Sequence, residues 1–369
     1  MTLMLIAVFG VFQILLWLMH VTIYQALSAA FGWHELWLAW LFTGLSVTFV
    51  SSSVLAHLFA NPFVKWYYRI SAYWFGLTQF LFGGTVVFFF LTYGIYATGH
   101  YISPAKLGIF SIGIFFLIHC YATWQTNRIK VTRVGVTLSH TGGQWHEFWH
   151  GKKIVFVSDV HLGLVRSEGF AKRVVAAIAA EAPEMVLIGG DIFDGVKCHP
   201  LSLIRPFGDL HPPQGMYFAT GNHEYIEDTD ILLKEIKEVG IRILDNQAVD
   251  VKGISVAGVD WKNSYKKEEF EKVMADMRID RTKPSILMRH EPSHLDVAER
   301  AGVSLTLCGH THAGQIFPLG FITRRIYQGF DYGLKPFRDM MVYTSSGVGT
   351  WGPPLRLGTK SEIVVITIE

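Results

Sequence analysis

Ile154-Val-Phe-Val-Ser-Asp-Val-His161 is a short β-branched run that ends in a carboxylate and an imidazole, and the pattern recurs four times further along the chain. Met185 to Ile188 is followed by Asp191 and Asp194, Met216 to Ala219 by Asn222 and His223, Ser285 to Met288 by His290, and Ser304 to Cys308 by His310 and His312. Short apolar runs bounded by polar clusters read as buried strands. Between them, Glu168 to Ala182, Asp230 to Val239 and Glu268 to Met277 carry helical spacing, and Met341 to Thr344 and Glu362 to Ile368 close the chain with strand-like runs. This alternation predicts an α/β sheet domain. Ligands of such sheets bind beyond the carboxyl ends of the strands, so the polar residues are expected to converge on one sheet edge although they are far apart in sequence.

A lone Asp-x-His or His-x-His says little, because a strand-end histidine usually caps or hydrogen-bonds. Five strand ends carrying such groups in order say much more. Mixed aspartate, histidine and asparagine ligation without thiolate suits manganese, iron, zinc or magnesium and does not describe a structural zinc site. The number of candidate ligands implies two metal ions.

Outward from this region the composition changes sharply. The chain has 369 residues and is 50% hydrophobic, yet up to Asn127 its only charged residues are Glu35, Lys65, Arg69 and Lys106. Four apolar runs, about Leu3 to Leu27, Leu36 to Phe59, Ser71 to Thr98 and Leu107 to Trp124, are each long enough to cross ~30 Å of hydrocarbon. With no charged face on any of them, membrane spans are expected in place of a soluble helix bundle. No basic residue precedes the first run and three more follow it, which argues against a cleaved signal peptide. Lys65 and Arg69 are read as the loop between spans two and three, and Arg128, Lys130 and Arg133 follow span four. The positive-inside rule then places the soluble domain in the cytoplasm.

The remainder of the chain is balanced in charge, so it has no electrostatic footprint for nucleic acid. Cys120, Cys198 and Cys308 are odd in number and widely spaced, which fits a reducing compartment better than a disulfide framework. The expected organisation is a four-helix transmembrane domain over 1–127, a linker with the first strand over 128–150, and the α/β domain over 151–369. The segment Ser139 to Gly151, with His140, Gly142, Gly143, His146 and His150, matches no metal-ligand spacing and reads as a solvated turn. Of the intramembrane histidines, His34, His57 and His100 read as interfacial anchors, and the role of His119 stays open.

Asp159-Val-His161, Gly190-Asp-Ile-Phe-Asp194, Gly221-Asn-His-Glu224, His290 and Gly309-His-Thr-His312 together resemble the five-part signature of the calcineurin-like metallophosphoesterases. The resemblance covers roughly His150 to Glu369. Its tail, Gly347 to Gly358, is similar to a membrane-associated bacterial branch with N-terminal transmembrane helices, from which the chain departs by Ala313 after His-Thr-His.

The resemblance implies a two-sheet β-sandwich flanked by helices and a dinuclear centre, with manganese favoured and iron, zinc or magnesium as alternatives. It implies Asp159, His161 and His312 on one metal, Asn222, His290 and His310 on the other, and Asp191 bridging them. A hydroxide held between the metals would attack phosphorus, Asn222 would bear part of the growing charge, and His223 would protonate the leaving oxygen. Asp194 is expected to orient a ligand or that acid. Glu224 is as consistent with a surface position as with a functional one.

The expected activity is hydrolysis of a phosphoester or pyrophosphate bond, with a lipid-linked or amphiphilic substrate favoured because four spans exceed what anchoring needs. Such a protein sits in a bacterial inner or plasma membrane, with the lipid bilayer and a phosphate-containing substrate as its partners and no protein partner inferable. Arg324, Arg325 and Arg338, in a basic and aromatic stretch, are candidates for headgroup or substrate contact. Two other readings stand beside this one: a phosphodiesterase for soluble nucleotides with the spans as anchor only, and an inactive membrane sensor or scaffold. Gly347-Val-Gly-Thr-Trp-Gly352 matches a dinucleotide-binding pattern, but Pro353 and Pro354 follow where that reading requires a helix, so a plain turn is expected.

Overall fold

The computed structural model describes residues 2–138, 144–197 and 199–369 and, for residues 2–6, the backbone alone. His140, Gly142, Gly143 and Cys198 lie outside the described residues. The chain forms two compact units, Met1–Trp124 with Gly352–Leu355, and Gln125–Trp351 with Arg356–Glu369.

Among the described residues of the first unit four helices are long and apolar enough to cross a membrane: Ala7–Phe31, Leu36–Leu58, Pro62–Ala97 and Pro104–Gln125. The third starts nine residues before the apolar run at Ser71. Asn61 caps it by accepting from the Val64 N–H at 3.0 Å, and Pro62 supplies the preset φ of a first helical turn. Lys65 and Arg69 therefore lie on the first turns of this helix, not in a loop. A hydropathy window marks where apolarity begins, whereas the cap marks where the helix begins. His20 accepts from the Trp74 indole at 2.9 Å, and the His119 ring meets Phe80 edge-on at 5.6 Å.

Among the described residues the second unit has twelve strands in two six-stranded sheets. They are β1 (Ile129–Val136), β2 (Lys153–Val157), β3 (Met185–Ile188), β4 (Met216–Phe218), β5 (Ile241–Ile243), β6 (Gln247–Val251), β7 (Ile254–Gly258), β8 (Ser285–Met288), β9 (Leu305–Cys308), β10 (Gly333–Phe337), β11 (Met340–Thr344) and β12 (Ser361–Ile368). One sheet runs β1-β12-β2-β3-β4-β5 and the other β10-β11-β9-β8-β7-β6.

Side chains alternate across each strand, and this alternation builds the layers. Ile154 and Phe156 of β2, Met185 and Leu187 of β3, and Val364 and Ile366 of β12 join Ile286, Met288, Leu305 and Leu307 of β8 and β9 in one buried cluster between the sheets. The intervening Val155, Val157, Val186 and Ile188 pack instead with Val174 and Ile178 of the helix Glu168–Ala180. On the second sheet, Leu287 packs with Phe270 and Met274 of the helix Lys267–Met277. The order is helix, sheet, sheet, helix, the two-sheet sandwich that the signature implies.

The strands that carry the candidate ligands divide between the sheets, β2, β3 and β4 in one and β8 and β9 in the other. The expected single sheet edge is therefore the shared end of a sandwich. Nor is the described part of the histidine-rich turn solvated throughout. Gln144–Trp149 is helical, and fully buried Trp149 sits in the inter-sheet cluster while its indole donates to the Val251 carbonyl at 3.2 Å. Trp149→Ala is expected to cost about 3–5 kcal/mol by vacating this position, seen as a lower urea midpoint when the loss of β-sheet circular dichroism of the detergent-solubilised chain is followed.

Candidate metal centre

The chain turns sharply after β2, β3 and β9. Asp159, His161, Asp191, His310 and His312 all have φ between 48° and 66°, the left-handed region that residues other than glycine rarely enter. Positions of this kind cost about 1–3 kcal/mol each and persist only where the surroundings over-determine them. Here backbone amides and carboxylates clamp the turns. Both Asp159 oxygens accept from the His310 N–H at 3.1 Å, and Asp191 Oδ1 accepts from the His223 N–H at 2.8 Å. Glycines allow the close approach: a Cβ on Gly309 would lie 2.2 Å from Asp159 Oδ2, and one on Gly221 would lie 2.2 Å from Asp191 Oδ1.

The result is a compact set of ligand-type atoms. Asp159, His161 and His312 form one group and Asp191, His290 and His310 another, with the ligand atoms of each group all within 4.8 Å of one another. His312 Nε2 lies 3.5 Å from Asp159 Oδ1 and 3.1 Å from His161 Nε2. Asp191 Oδ2 lies 3.1 Å from His290 Nε2 and 3.9 Å from both His161 Nε2 and His223 Nε2. The His290 Nδ1–H donates to the Gly189 carbonyl at 2.7 Å, which turns Nε2 toward Asp191. His310 Nδ1 is 2.9 Å from Asn222 Oδ1. His161, Asp194 and His223 make a third group, with Asp194 Oδ1 3.4 Å from His161 Nδ1. The His223 Nδ1–H donates to the Asp194 main-chain carbonyl at 2.9 Å, so Asp194 contacts both imidazoles through different oxygens.

Asp159, Asp191, His161, His223, His290 and His312 are all buried. Burial raises the Asp159 carboxyl against the pull of His290. Burial pushes Asp191 the same way, but the charge of His290 outweighs it and holds Asp191 well below the carboxylate range. In return Asp191 overcomes burial at His290 and holds that imidazole up to about 10. Burial, helped by the charge of His290, brings His310 down to about 4, and burial with the charge of His161 lowers His312. The set thus contains an ionised carboxylate, neutral imidazoles and a strong demand for positive charge. Atoms about 2.0–2.2 Å from one divalent ion stand roughly 3–4 Å apart, and the first group, at 3.1–4.0 Å, and the Asp191–His290 pair, at 3.1 Å, have that spacing. These donors fit divalent metal ions.

A family model described as calcineurin-like phosphoesterase matches residues 152–314. A metallophosphoesterase of Helicobacter pylori is 31% identical over 64% of this chain and 70% of its own length. The chain belongs to the calcineurin-like metallophosphoesterases. It is also 34% identical to a metallophosphoesterase of Campylobacter jejuni over 59% of each chain, so it spans about three fifths of that relative's length. A Danio rerio protein named as a transmembrane protein with metallophosphoesterase domain is 31% identical over 60% of this chain and 54% of its own.

Glu224, Arg356 and Glu362 are buried charged groups of this metallophosphoesterase whose roles the sequence does not reveal. Glu224 is fully buried, and its carboxylate accepts from the N–H groups of Asp191, Ile192, Phe193 and Gly221 at 2.8–3.3 Å. Burial, reinforced by the charge of Asp191, raises its carboxyl to about 7. Its position directly after Gly-Asn-His, at a turn rich in free amides, was the available signal. Arg356 is buried, donates to the Ser346, Gly347 and Gly349 carbonyls at 2.6–2.9 Å, and comes within 3.4 Å of His312 Nδ1. Glu362 on β12 accepts from Thr132 and from the Ser346 N–H. The Gly347–Gly352 stretch is a turn, with the Gly349 N–H donating to the Asp159 carbonyl at 2.7 Å and no helix after it.

Arg324 and Arg325 are exposed on the helix Gly320–Ile326, whose next residue, Tyr327, meets His310 edge-on at 6.3 Å. Arg338 is at the β10–β11 turn, paired with Glu299 at 3.0 Å. Because β11 runs parallel to β9 with Met341 opposite Leu305, that turn is at the other end of the sheet from His310 and His312. Glu224→Ala leaves up to four amides without an acceptor, at about 1–3 kcal/mol for each that water does not reach. The expected result is a lower melting temperature and a drop in manganese affinity of about ten- to a hundredfold, read by calorimetric titration of the purified chain.

Proposed function

We propose that this chain hydrolyses a phosphoester or pyrophosphate bond of a lipid-linked or amphiphilic substrate at a membrane. The observation that carries the reading is Asp191, set between the imidazoles of His161, His223 and His290 at 3.1–3.9 Å. Asp159, His161 and His312 would hold one divalent ion, Asn222, His290 and His310 a second, with Asp191 shared between them. Two such ions supply Lewis acidity to phosphoryl oxygens and make water a nucleophile near neutral pH.

The chain's own residues do the rest. The side-chain amide of Asn222 is oriented by His310 and offers its N–H₂ to a phosphoryl oxygen. The Asp194 carbonyl fixes the His223 tautomer with the proton on Nδ1, so that Nε2 faces the cluster and can carry a second proton to the leaving oxygen. The Asp194 carboxylate steadies His161 from behind. Four helices long and apolar enough for a bilayer support an amphiphilic substrate, since a single helix suffices for anchoring. Manganese is the ion we propose, in a bacterial inner membrane with the catalytic domain on the cytoplasmic side.

The test is hydrolysis of a chromogenic phosphodiester and of lipid extracts by the purified full chain with manganese. Asp191→Asn should abolish metal-dependent turnover on both, and a lipid phosphoester should accumulate in cells carrying it. Turnover of soluble nucleotides alone would overturn the amphiphilic reading. His223→Ala should fold and keep its metal content while losing about 10² to 10⁴ in rate on esters with poor leaving groups; unchanged turnover of an alkyl phosphate ester would remove the acid from His223. A cysteine placed at Lys272 should be shielded from impermeant maleimide in intact cells and labelled after lysis, as a cytoplasmic domain requires.

A further inference from the structure

The second unit carries an exposed apolar rim that the chemistry above does not use. Phe317, Phe321, Ile322, Ile326 and Trp351 are each 57–68% exposed, and the helix Gly320–Ile326 has no buried residue. Elsewhere in this unit the exposed large apolar side chains among the described residues are Leu201, Ile226, Ile231 and Tyr265. A contiguous patch of this kind marks an interaction surface.

The rim is fixed to the candidate metal centre. Three residues after His312, the Gln315 side chain donates to the Trp351 carbonyl and accepts from the Trp351 N–H, both at 2.9 Å. The backbones of Gln315 and Phe317 each bond to Leu357. At the far end of the short helix, Tyr327 touches His310. The charge around the rim has one sign: Arg324 and Arg325 are exposed without a side-chain partner among the described residues, and no acidic residue occurs from Ala313 to Phe330.

We infer that this rim seats on the surface of a glycerophospholipid bilayer with anionic headgroups. Aromatic and branched side chains enter the acyl boundary, while the two guanidinium groups stay at headgroup level, each attracted to an anionic leaflet. The bilayer is the occupant at hand, since the same chain holds four candidate membrane spans. The inference rests on the proposed amphiphilic substrate and deepens it, because a seated rim brings the cluster to the depth of a lipid phosphate.

The test uses the full chain in nanodiscs of phosphatidylcholine and phosphatidylglycerol, with Cys120→Ser and Cys198→Ser and a nitroxide on Phe321→Cys or Ile326→Cys. Lys272→Cys serves as the solvent control, and fully buried Cys308 stays unlabelled. The expected result is a several-fold higher ratio of oxygen to nickel-chelate accessibility at the rim positions than at the control, decreasing in Arg324→Gln/Arg325→Gln. An equal ratio would overturn the inference. Dipolar broadening between labels would assign the rim to a second copy of the chain and overturn it equally. Should the labelled variants misfold, brominated lipid should quench the otherwise unaltered chain more than Trp351→Phe, and equal quenching decides against the rim. These signals need no turnover, so a failed lipid-hydrolysis assay and a dry rim are separate outcomes.

Discussion

Asp191 is ionised, buried and surrounded by nitrogen, and a carboxylate in that setting has to be neutralised where it stands. His290 meets the demand with a proton, and a divalent cation meets it better. Geometry follows from this need. To face one another across two sheets, the strand-end side chains must leave strands that point past the site, and the chain manages this with left-handed turns at Asp159, His161, Asp191, His310 and His312. The turns are held by hydrogen bonds to the same carboxylates they present, so chemistry and backbone support one another. Glu224 stands beneath the arrangement as an internal anchor, and the amides of the Asp191 turn converge on it much as amides converge on a bound anion.

How much of this was legible in the sequence depended on whether a residue's role was written in its neighbours. β2, β3, β8 and β9 could be bounded closely because a run of apolar residues stops at a polar one. The convergence of Asp159, His161, Asp191, His290 and His312 followed from their recurrence at strand ends. Glu224 could not be settled in that way, since an acidic residue after a turn usually faces water, and only the four amides around it show otherwise. Arg356 and Glu362 were invisible for the same reason: their partners are carbonyls, hydroxyls and amides that any sequence supplies. The division of the ligand strands between two sheets was also out of reach, because pairing order is a tertiary property that local pattern does not encode.

In the first unit the apolar runs match the four candidate spans, and polar residues set their ends. Asn61-Pro62 sets the start of the third helix by cap geometry, moving Lys65 and Arg69 onto the helix itself. Basic side chains on a first turn still reach the interface along flexible stems, so their topological signal does not depend on being in a loop.

Strand β12 lies between β1 and β2, with Ser361 opposite Ile129 and Val364 opposite Phe156. The strand that joins these two neighbours is made about two hundred residues after β2. Until Ser361–Ile368 emerges the nascent sheet therefore has an open slot, with β1 unable to pair in its final register. Sheet closure waits for that strand and is slow because its contacts are distant in sequence, and a ribosome that stalls ahead of Ser361 leaves exposed strand edges for the quality-control proteases of the cell.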